Sequence, residues 1–422
     1  MAGVLVVLMG LILLGTPLVF ALGLTTLGYL LAADVSLSLL PQRMAASLDS
    51  FTLLAIPLFY LSGELMNECK VTDRIIAMAR AFVGHVPGSL AQVTVLAGTL
   101  LSGVSGSATA DTAALGSVLI PAMKREGYDS GFAAAVTVSS AMVGPIIPPS
   151  ILLVMYGILA NLSIGKLLVA GIVPGLVIGL TLMAFNHVIA VKRGFPRHPR
   201  ASVRDMATAT SRGTAALLMP VLIVGGILSG AFTATEAAAV SVVYGLVLGL
   251  VVYRNVSVAS LWGAMQRVCT GSARVLVILA VASAFSWVVI LEEVPQAIVG
   301  VMLGITSSPM MVLFLVVSLL LVVGTFLVAS SALVILAPIL VPVMQRFGFD
   351  PIHFGVLMVF ILVVGGGTPP VGVLLYVAQD IADVEYGSLV RAMLPFYIPL
   401  GIAILLLALF PQLTLFVPQH FM

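Results

Sequence analysis

Pro121-Ala-Met-Lys-Arg-Glu-Gly-Tyr-Asp129 returns 221 residues later as Pro342-Val-Met-Gln-Arg-Phe-Gly-Phe-Asp350. Proline, methionine, arginine, glycine, an aromatic ring and aspartate keep their places in both. The register continues without a gap: Gly144-Pro-Ile-Ile-Pro-Pro149 falls on Gly365-Gly-Gly-Thr-Pro-Pro370, Gly103 on Gly324, and Pro174 on Pro395. Chance can give one such pair, but several in one register mark a folding unit used twice.

The medium in which that unit folds follows from composition. Of 422 residues, 61% are hydrophobic and 8% charged, with a mean hydropathy of +1.24, against roughly 25% charged in soluble domains. Apolar stretches at 4–33, 167–191 and 235–253 approach or exceed the ~20 residues that a membrane-crossing helix needs. The chain is therefore expected to be polytopic, with lipid as its main solvent. Its first residues lack a basic n-region and the apolar run is about twice the usual signal-peptide length, so 4–33 reads as a retained first helix. A net charge of +2 resides in loops and gives no sign of nucleic-acid binding. No G-x-x-x-x-G-K-[ST] occurs, so no ATP site is expected and transport would draw on an ion gradient. Cys69 and Cys269 have no metal-ligand or disulfide spacing.

Orientation decides what the repeat means. The polar stretch 192–212 holds Lys192, Arg193, Arg197, Arg200, Arg204 and Arg212 against Asp205 alone, which places it in the cytoplasm by the positive-inside rule. Lys124, Arg125, Lys70, Arg74 and Arg80 fall on the same side, so the helix that begins at Phe51 runs inward. Its copy, beginning near Ser272, runs outward. The copies are thus expected to be antiparallel, an inverted repeat with about nine full crossings and two re-entrant hairpins. Such repeats with interrupted helices are the architecture of secondary transporters, whose site lies at mid-bilayer between the copies.

Each copy contains a long apolar segment folded back at a tip of small residues, 90–123 around Ser102-Gly-Val-Ser-Gly-Ser-Ala-Thr109 and 310–344 around Gly324-Thr-Phe-Leu-Val-Ala-Ser-Ser331. Non-helical backbone at membrane depth is tolerated only inside protein or against a wet cavity. Each hairpin is followed by a helix broken at tandem prolines, Pro148-Pro149 and Pro369-Pro370, which free the carbonyls just upstream. Freed carbonyls at a negative helix end suit a hard cation such as Na+. One cation is expected near Ser102, Gly103, Ser105, Gly144 and Ile147, and a second near Gly324, Gly365 and Thr368. Positive helix N-termini after the breaks suit a carboxylate. The residues expected around it are Ser107, Thr109, Asp111 and Ser330 at the tips, with Pro148, Pro149, Ser150, Pro369 and Pro370 at the breaks. The plainer reading of one Pro-Pro pair is a simple kink, but two in register with two hairpins favour ion sites. Asp111 has two open readings, an intramembrane functional acid or a first-turn charge stabilised by the helix dipole. Glu236 reads as structural, since Thr233-Ala-Thr-Glu236 fits a capping box. The five histidines read as surface residues without metal-ligand spacing.

Leu61-Ser-Gly-Glu-Leu-Met66, Ser102 to Asp111, Pro121 to Asp129, Gly144 to Ser150, Gly226-Ile-Leu-Ser-Gly-Ala-Phe-Thr-Ala-Thr-Glu236 and Gly365 to Gly372 together resemble the large membrane subunit of a tripartite ATP-independent periplasmic (TRAP) transporter. The resemblance covers essentially the whole chain. It implies an all-α elevator-type transporter of the ion transporter superfamily, a multi-pass protein of the bacterial inner membrane and not an enzyme. It further implies uptake of an organic acid, such as a C4-dicarboxylate or a sialic acid, by symport with Na+ and without other cofactors. The implied partners are a small four-helix membrane subunit, expected as a separate chain, and a periplasmic substrate-binding protein. One departure is Val328, where many relatives carry an acid.

On this reading 89–165 and 310–387 form the two halves of a transport domain. The expected scaffold and arms comprise 1–88, 166–271, 272–309 and 388–422. Two rivals remain. Gly103-Val-Ser-Gly106 matches the G-x-S-G of intramembrane serine proteases, in which Ser105 would need a histidine within hydrogen-bond reach. A one-component divalent-anion/Na+ symporter shares the hairpin design but carries Ser-Asn-Thr tip signatures, which are absent here.

Overall fold

The computed structural model describes residues 2–422, and among these the regular structure is helical throughout. The first copy opens with α1 (Ala2–Leu13), α2 (Leu18–Ala32) and α3 (Leu39–Leu48). A 3-10 turn, Phe51–Leu54, leads into α4 (Ala55–Glu68), followed by α5 (Val71–Val83). Its hairpin is α6 (Ser89–Ser105) with α7 (Ala108–Arg125). The broken helix is α8 (Ser130–Ala141) before the prolines and α9 (Ile151–Leu159) after them, and α10 (Ile164–Ala170) and α11 (Ile172–Arg193) complete the copy. The second copy runs through α12 (Val203–Leu228), α13 (Ala234–Val247, extended by a π turn to Val252), α14 (Val258–Leu291) and α15 (Val294–Ile305). Its hairpin is α16 (Pro309–Phe326) with α17 (Ala329–Arg346), and its broken helix is α18 (Pro351–Gly365) and α19 (Val373–Ala382). It ends with α20 (Tyr386–Met393), α21 (Tyr397–Leu409) and α22 (Gln412–Phe421). Numbered at the 221-residue offset, α7 begins and ends where α17 does.

The repeated nonapeptide is a joint between helices. Gly127 (φ +85) and Gly348 (φ +86) take the left-handed conformation that ends a helix without a Cβ penalty. The next amides turn back onto the helix, Tyr128 N to Met123 O at 3.0 Å and Phe349 N to Met344 O at 3.1 Å. Asp129 and Asp350 then cap the following helices, accepting from Phe132 N at 2.9 Å and from Ile352 N at 2.8 Å. The motif that reveals the duplication therefore sets the angle between each hairpin and its broken helix.

The copies pack reciprocally, α9 on α17 and α19 on α7, α4 on α13 and α14 on α2. A two-fold relation between the units generates such exchange, as expected for an inverted repeat. By contact the helices divide into two sets. The hairpins and broken helices pack with α10, α11, α21 and α22, whereas α2, α4, α13 and α14 pack with one another. Here α11 lies along α6, α21 lies along α18, and α11 and α21 pack on each other. The arm α5 buries Val71, Ile75, Ile76, Met78 and Ala79 and leaves Asp73 and Arg80 exposed, an apolar stripe at helical spacing.

Two expectations need correction. The stretch 4–33 is not one helix: Gly15 adopts φ +80 and Pro17 lacks an N–H, so α1 stops and α2 starts afresh. Among the described residues, seven helices are long and apolar enough to cross a bilayer, or eight if the bent pair Leu39–Leu48 and Phe51–Glu68 is one span, and two of the seven are the hairpin arms α16 and α17. His353 is not a surface residue. It is 1% exposed, with Nδ1 2.8 Å from Thr414 Oγ1, because α22 lies across the start of α18.

Glu236 completes the capping box as read, its Oε2 accepting from Thr233 N at 2.8 Å while Thr233 Oγ1 accepts from Glu236 N at 3.3 Å. Thr233→Ala is expected to cost about 1 kcal/mol. A thermal melt in detergent should show a midpoint lower by a few degrees.

Candidate functional site

At the first tip, Gly106 turns the chain between α6 and α7 at φ +64. A Cβ added there would fall on the carbonyl oxygen of Pro149, so tip and break meet backbone to backbone. Ser107 caps α7 by accepting from Ala110 N at 3.4 Å, and its hydroxyl lies 3.1 Å from Thr109 Oγ1. Ser105 donates its hydroxyl to Asp111 Oδ1. Asp111 is fully buried, its Oδ2 accepts from no donor among the described residues, and a Cβ on Gly144 would fall on that oxygen. A buried carboxylate oxygen without a donor is costly, so glycine at 144 brings the break onto an acid that still has coordination capacity. Ser105, Asp111 and the Gly144 backbone thus form one cluster. Gly103 abuts the Pro148 carbonyl, 3.6 Å from its would-be Cβ.

Other residues expected at this cation point elsewhere. Ser102 Oγ returns to Gly98 O within its own helix at 2.7 Å. The Ile147 side chain fills the space over Gly175 of α11, leaving only its backbone to the break. Ser150, expected beside the carboxylate, donates to Pro145 O and accepts from Leu153 N at 3.1 Å, so it closes the break and caps α9 together.

The second tip is Leu327-Val328, one turn beyond Gly324, which lies inside α16. Gly324 and Gly365 touch through their backbones: a Cβ on Gly365 would stand 2.6 Å from Gly324 Cα and 2.7 Å from its carbonyl carbon. Thr368 N donates to Gly365 O, and Thr368 Oγ1 to Val364 O, both at 2.8 Å. Gly324, Gly365 and Thr368 therefore gather as expected, although at this offset Asp111 is replaced by Ala332 and Ser105 by Phe326. The Pro148-Pro149 and Pro369-Pro370 peptide bonds are both cis.

Between the tips lies a cavity of about 190 Å³. Ala108 and Thr109 of α7, Ile151 and Leu152 of α9, Ala329 and Ser330 of α17, and Val373 and Leu374 of α19 line it, and these are the opening residues of four helices. Four positive helix ends thus converge on one space, among whose described lining residues none carries a formal charge. Ser107, Thr109 and Ser330 line it. Asp111, Ser150 and the four prolines do not, being turned behind the tips or held in the breaks. Val328 is half-exposed at the start of α17 and offers no capping oxygen.

Sequence reasoning missed Tyr60 and Val275, through which α4 and α14 reach the cavity. It also missed Tyr386 and Tyr397, whose hydroxyls bond the carbonyls of the second break. A Tyr O–H in a folded protein seeks a partner, but the sequence does not say which carbonyl it finds.

The profile described as "Tripartite ATP-independent periplasmic transporter, DctM component" matches residues 5–413. The sialic acid TRAP transporter large permease protein SiaM of Vibrio cholerae is 40% identical over 415 residues, covering 98% of this chain and 97% of that protein. The C4-dicarboxylate TRAP transporter large permease protein DctM of Pseudomonas aeruginosa is 38% identical over 400 residues, 94% of each. At 15% identity, the YdaH transporter of Alcanivorax borkumensis shares the fold with a TM-score of 0.63 over 87% of both chains. With a profile that spans nearly every described helix, two long relatives and a transporter fold, the chain belongs to the DctM family of TRAP transporter large permease subunits of the inner membrane.

Proposed function

We propose that this chain is the permease subunit of a Na+-coupled uptake system for a small organic acid delivered by a periplasmic binding protein, with a small membrane subunit as its second partner. The observation that carries this reading is the cavity floored by four helix N-termini. Each such end favours a negative group by about 0.3–2 kcal/mol, depending on burial. Backbone amides there can bind a carboxylate without a fixed cation, and so can release it. The relatives' substrates, a sialic acid and C4-dicarboxylates, both carry that group.

Bound Na+ supplies positive charge beside each tip. On this side of the cavity, Ser105, Asp111 and the Gly144 backbone hold the first cation, and Gly324, Gly365 and Thr368 hold the second. Cation and substrate sites share one tip, so filling the first orders the amides that face the second. For movement we infer an elevator: α6–α11 with α16–α22 slide against α1–α4 and α12–α14, with α5 and α15 as arms. The contact division supports this partition. The protease alternative loses support, because the Ser105 hydroxyl donates to Asp111, and no histidine bonds it among the described residues.

Proteoliposomes holding the permease and its small partner test the reading. Uptake is expected only with both an inward Na+ gradient and the binding protein. Uptake by the permease alone would favour a one-component symporter. Ser105→Ala and Thr368→Ala should raise the half-saturating Na+ concentration by roughly three- to tenfold, about one hydrogen bond each. The half-saturating concentration of the loaded binding protein should change less. Unchanged Na+ dependence in both would remove these hydroxyls from the ion sites.

A further inference from the structure

The two breaks are closed by different means. In the first copy the break is self-contained: Ser150 donates to Pro145 O, and the Ile146 carbonyl oxygen lies against Gly171, where a Cβ would fall on it. At the 221-residue offset the second copy has Val371 for Ser150 and Ala392 for Gly171, so both devices are lost. Hydroxyls from outside the break take their place. Tyr397, at the start of α21, donates to Gly367 O at 2.9 Å. Tyr386, at the start of α20, places one hydroxyl 2.9 Å from Pro370 O and 3.0 Å from Val371 O. Their counterparts in the first copy, Leu176 and Gly165, have no hydroxyl. Thr368 sits between the clasped carbonyls, one residue after Gly367 and two before Pro370.

We propose that Tyr386 and Tyr397 are positioning residues for the second cation site, an inference that rests on the sodium reading above. Each phenol pins a carbonyl on one side of Thr368, which fixes the turn that presents Thr368 and the end of α18 to the ion. Neither tyrosine is a ligand; both restrict the backbone that supplies the ligands. Without the clasp the turn samples more conformations, and the ion must select the competent one, which weakens its apparent affinity by the competent fraction. The first site needs no such support, since Ser150 lies within its own loop.

The test uses the purified full chain in detergent with Na+ alone as the probe, reading thermal stabilisation as NaCl replaces KCl at constant ionic strength. Tyr386→Phe and Tyr397→Phe keep the rings and remove only the hydroxyls. Each is expected to raise the Na+ concentration giving half the stabilisation by roughly three- to tenfold, with a melting midpoint in KCl close to wild type. Tyr376→Phe is the control, because Tyr376 stacks on Tyr386 with centroids 5.1 Å apart and should leave the Na+ midpoint unchanged. If both variants keep the wild-type Na+ midpoint while the wild type responds to Na+, the positioning role is overturned and the sodium reading stands. A lowered KCl midpoint with an unchanged Na+ midpoint also overturns it, as a purely structural effect. No response of the wild type to Na+ would overturn the sodium reading itself.

Discussion

Asp111→Asn is expected to leave a folded, membrane-inserted permease whose Na+ half-saturation is roughly 10- to 100-fold weaker, because a charge-assisted contact worth about 1.5–3 kcal/mol is lost. The side chain keeps its shape, so Ser105 can still donate to the remaining carbonyl oxygen. What disappears is the negative charge next to Gly144, where Oδ2 accepts from no donor among the described residues. The competing account makes Asp111 a helix-dipole partner at the start of α7. It predicts a stability loss of about 0.3–1 kcal/mol and an intact Na+ response. Proteoliposome uptake against Na+ concentration, with a melt on the same sample, separates the two. A shifted midpoint of melting with unshifted Na+ dependence would return Asp111 to the dipole role. The full burial of the carboxylate argues against that role alone, since exposed first-turn acids gain the same dipole energy without losing hydration.

How far the sequence could carry this site depends on the kind of contact involved. The hairpins and breaks were legible because each depends on residue types with fixed backbone preferences, glycine and other small residues at a turn and proline within a helix. Gly324, Gly365 and Thr368 could be grouped because the 221-residue register puts one copy's tip opposite its own break, and the structure brings these residues together. Asp111 was seen as functional or structural but was placed with the substrate. Sequence spacing says which turn of α7 it occupies and nothing of the face it presents, and the structure turns it toward Gly144 and away from the cavity. The first helix was misjudged because hydropathy alone cannot see the Gly15 and Pro17 break inside an apolar run. The two tyrosine clasps were invisible for another reason. They join α20 and α21 to a turn 16 and 30 residues away, and the register that exposed the repeat has no counterpart for them in the first copy.

Gly365→Ala should be the most damaging single change, with uptake reduced by more than about tenfold and the melting midpoint lowered as well. The methyl group would stand 2.6 Å from Gly324 Cα and 2.7 Å from its carbonyl carbon, and neither is the end of a flexible side chain. Backbone must move, and the backbone in question is the contact between the second hairpin and its broken helix. Overpacking of this kind costs typically 1–3 kcal/mol where side chains can yield; here α16 and α18 must separate. The neighbouring position gives the internal control. A Cβ on Gly366 meets nothing closer than Val363 O at 3.3 Å, so Gly366→Ala requires only a small local shift and should leave the melting midpoint close to wild type. Gly324→Ala should reproduce the Gly365 effect from the other side, since its Cβ would lie 3.0 Å from Leu362 O and 3.1 Å from Gly365 Cα. Because the two substitutions spoil one contact, the double variant is expected to lose less than the sum of the singles. Additive losses would mean that the helices meet elsewhere in the transporting state. Equal tolerance of alanine at 365 and 366 would show that the close approach of hairpin to break is not needed for ion or substrate binding.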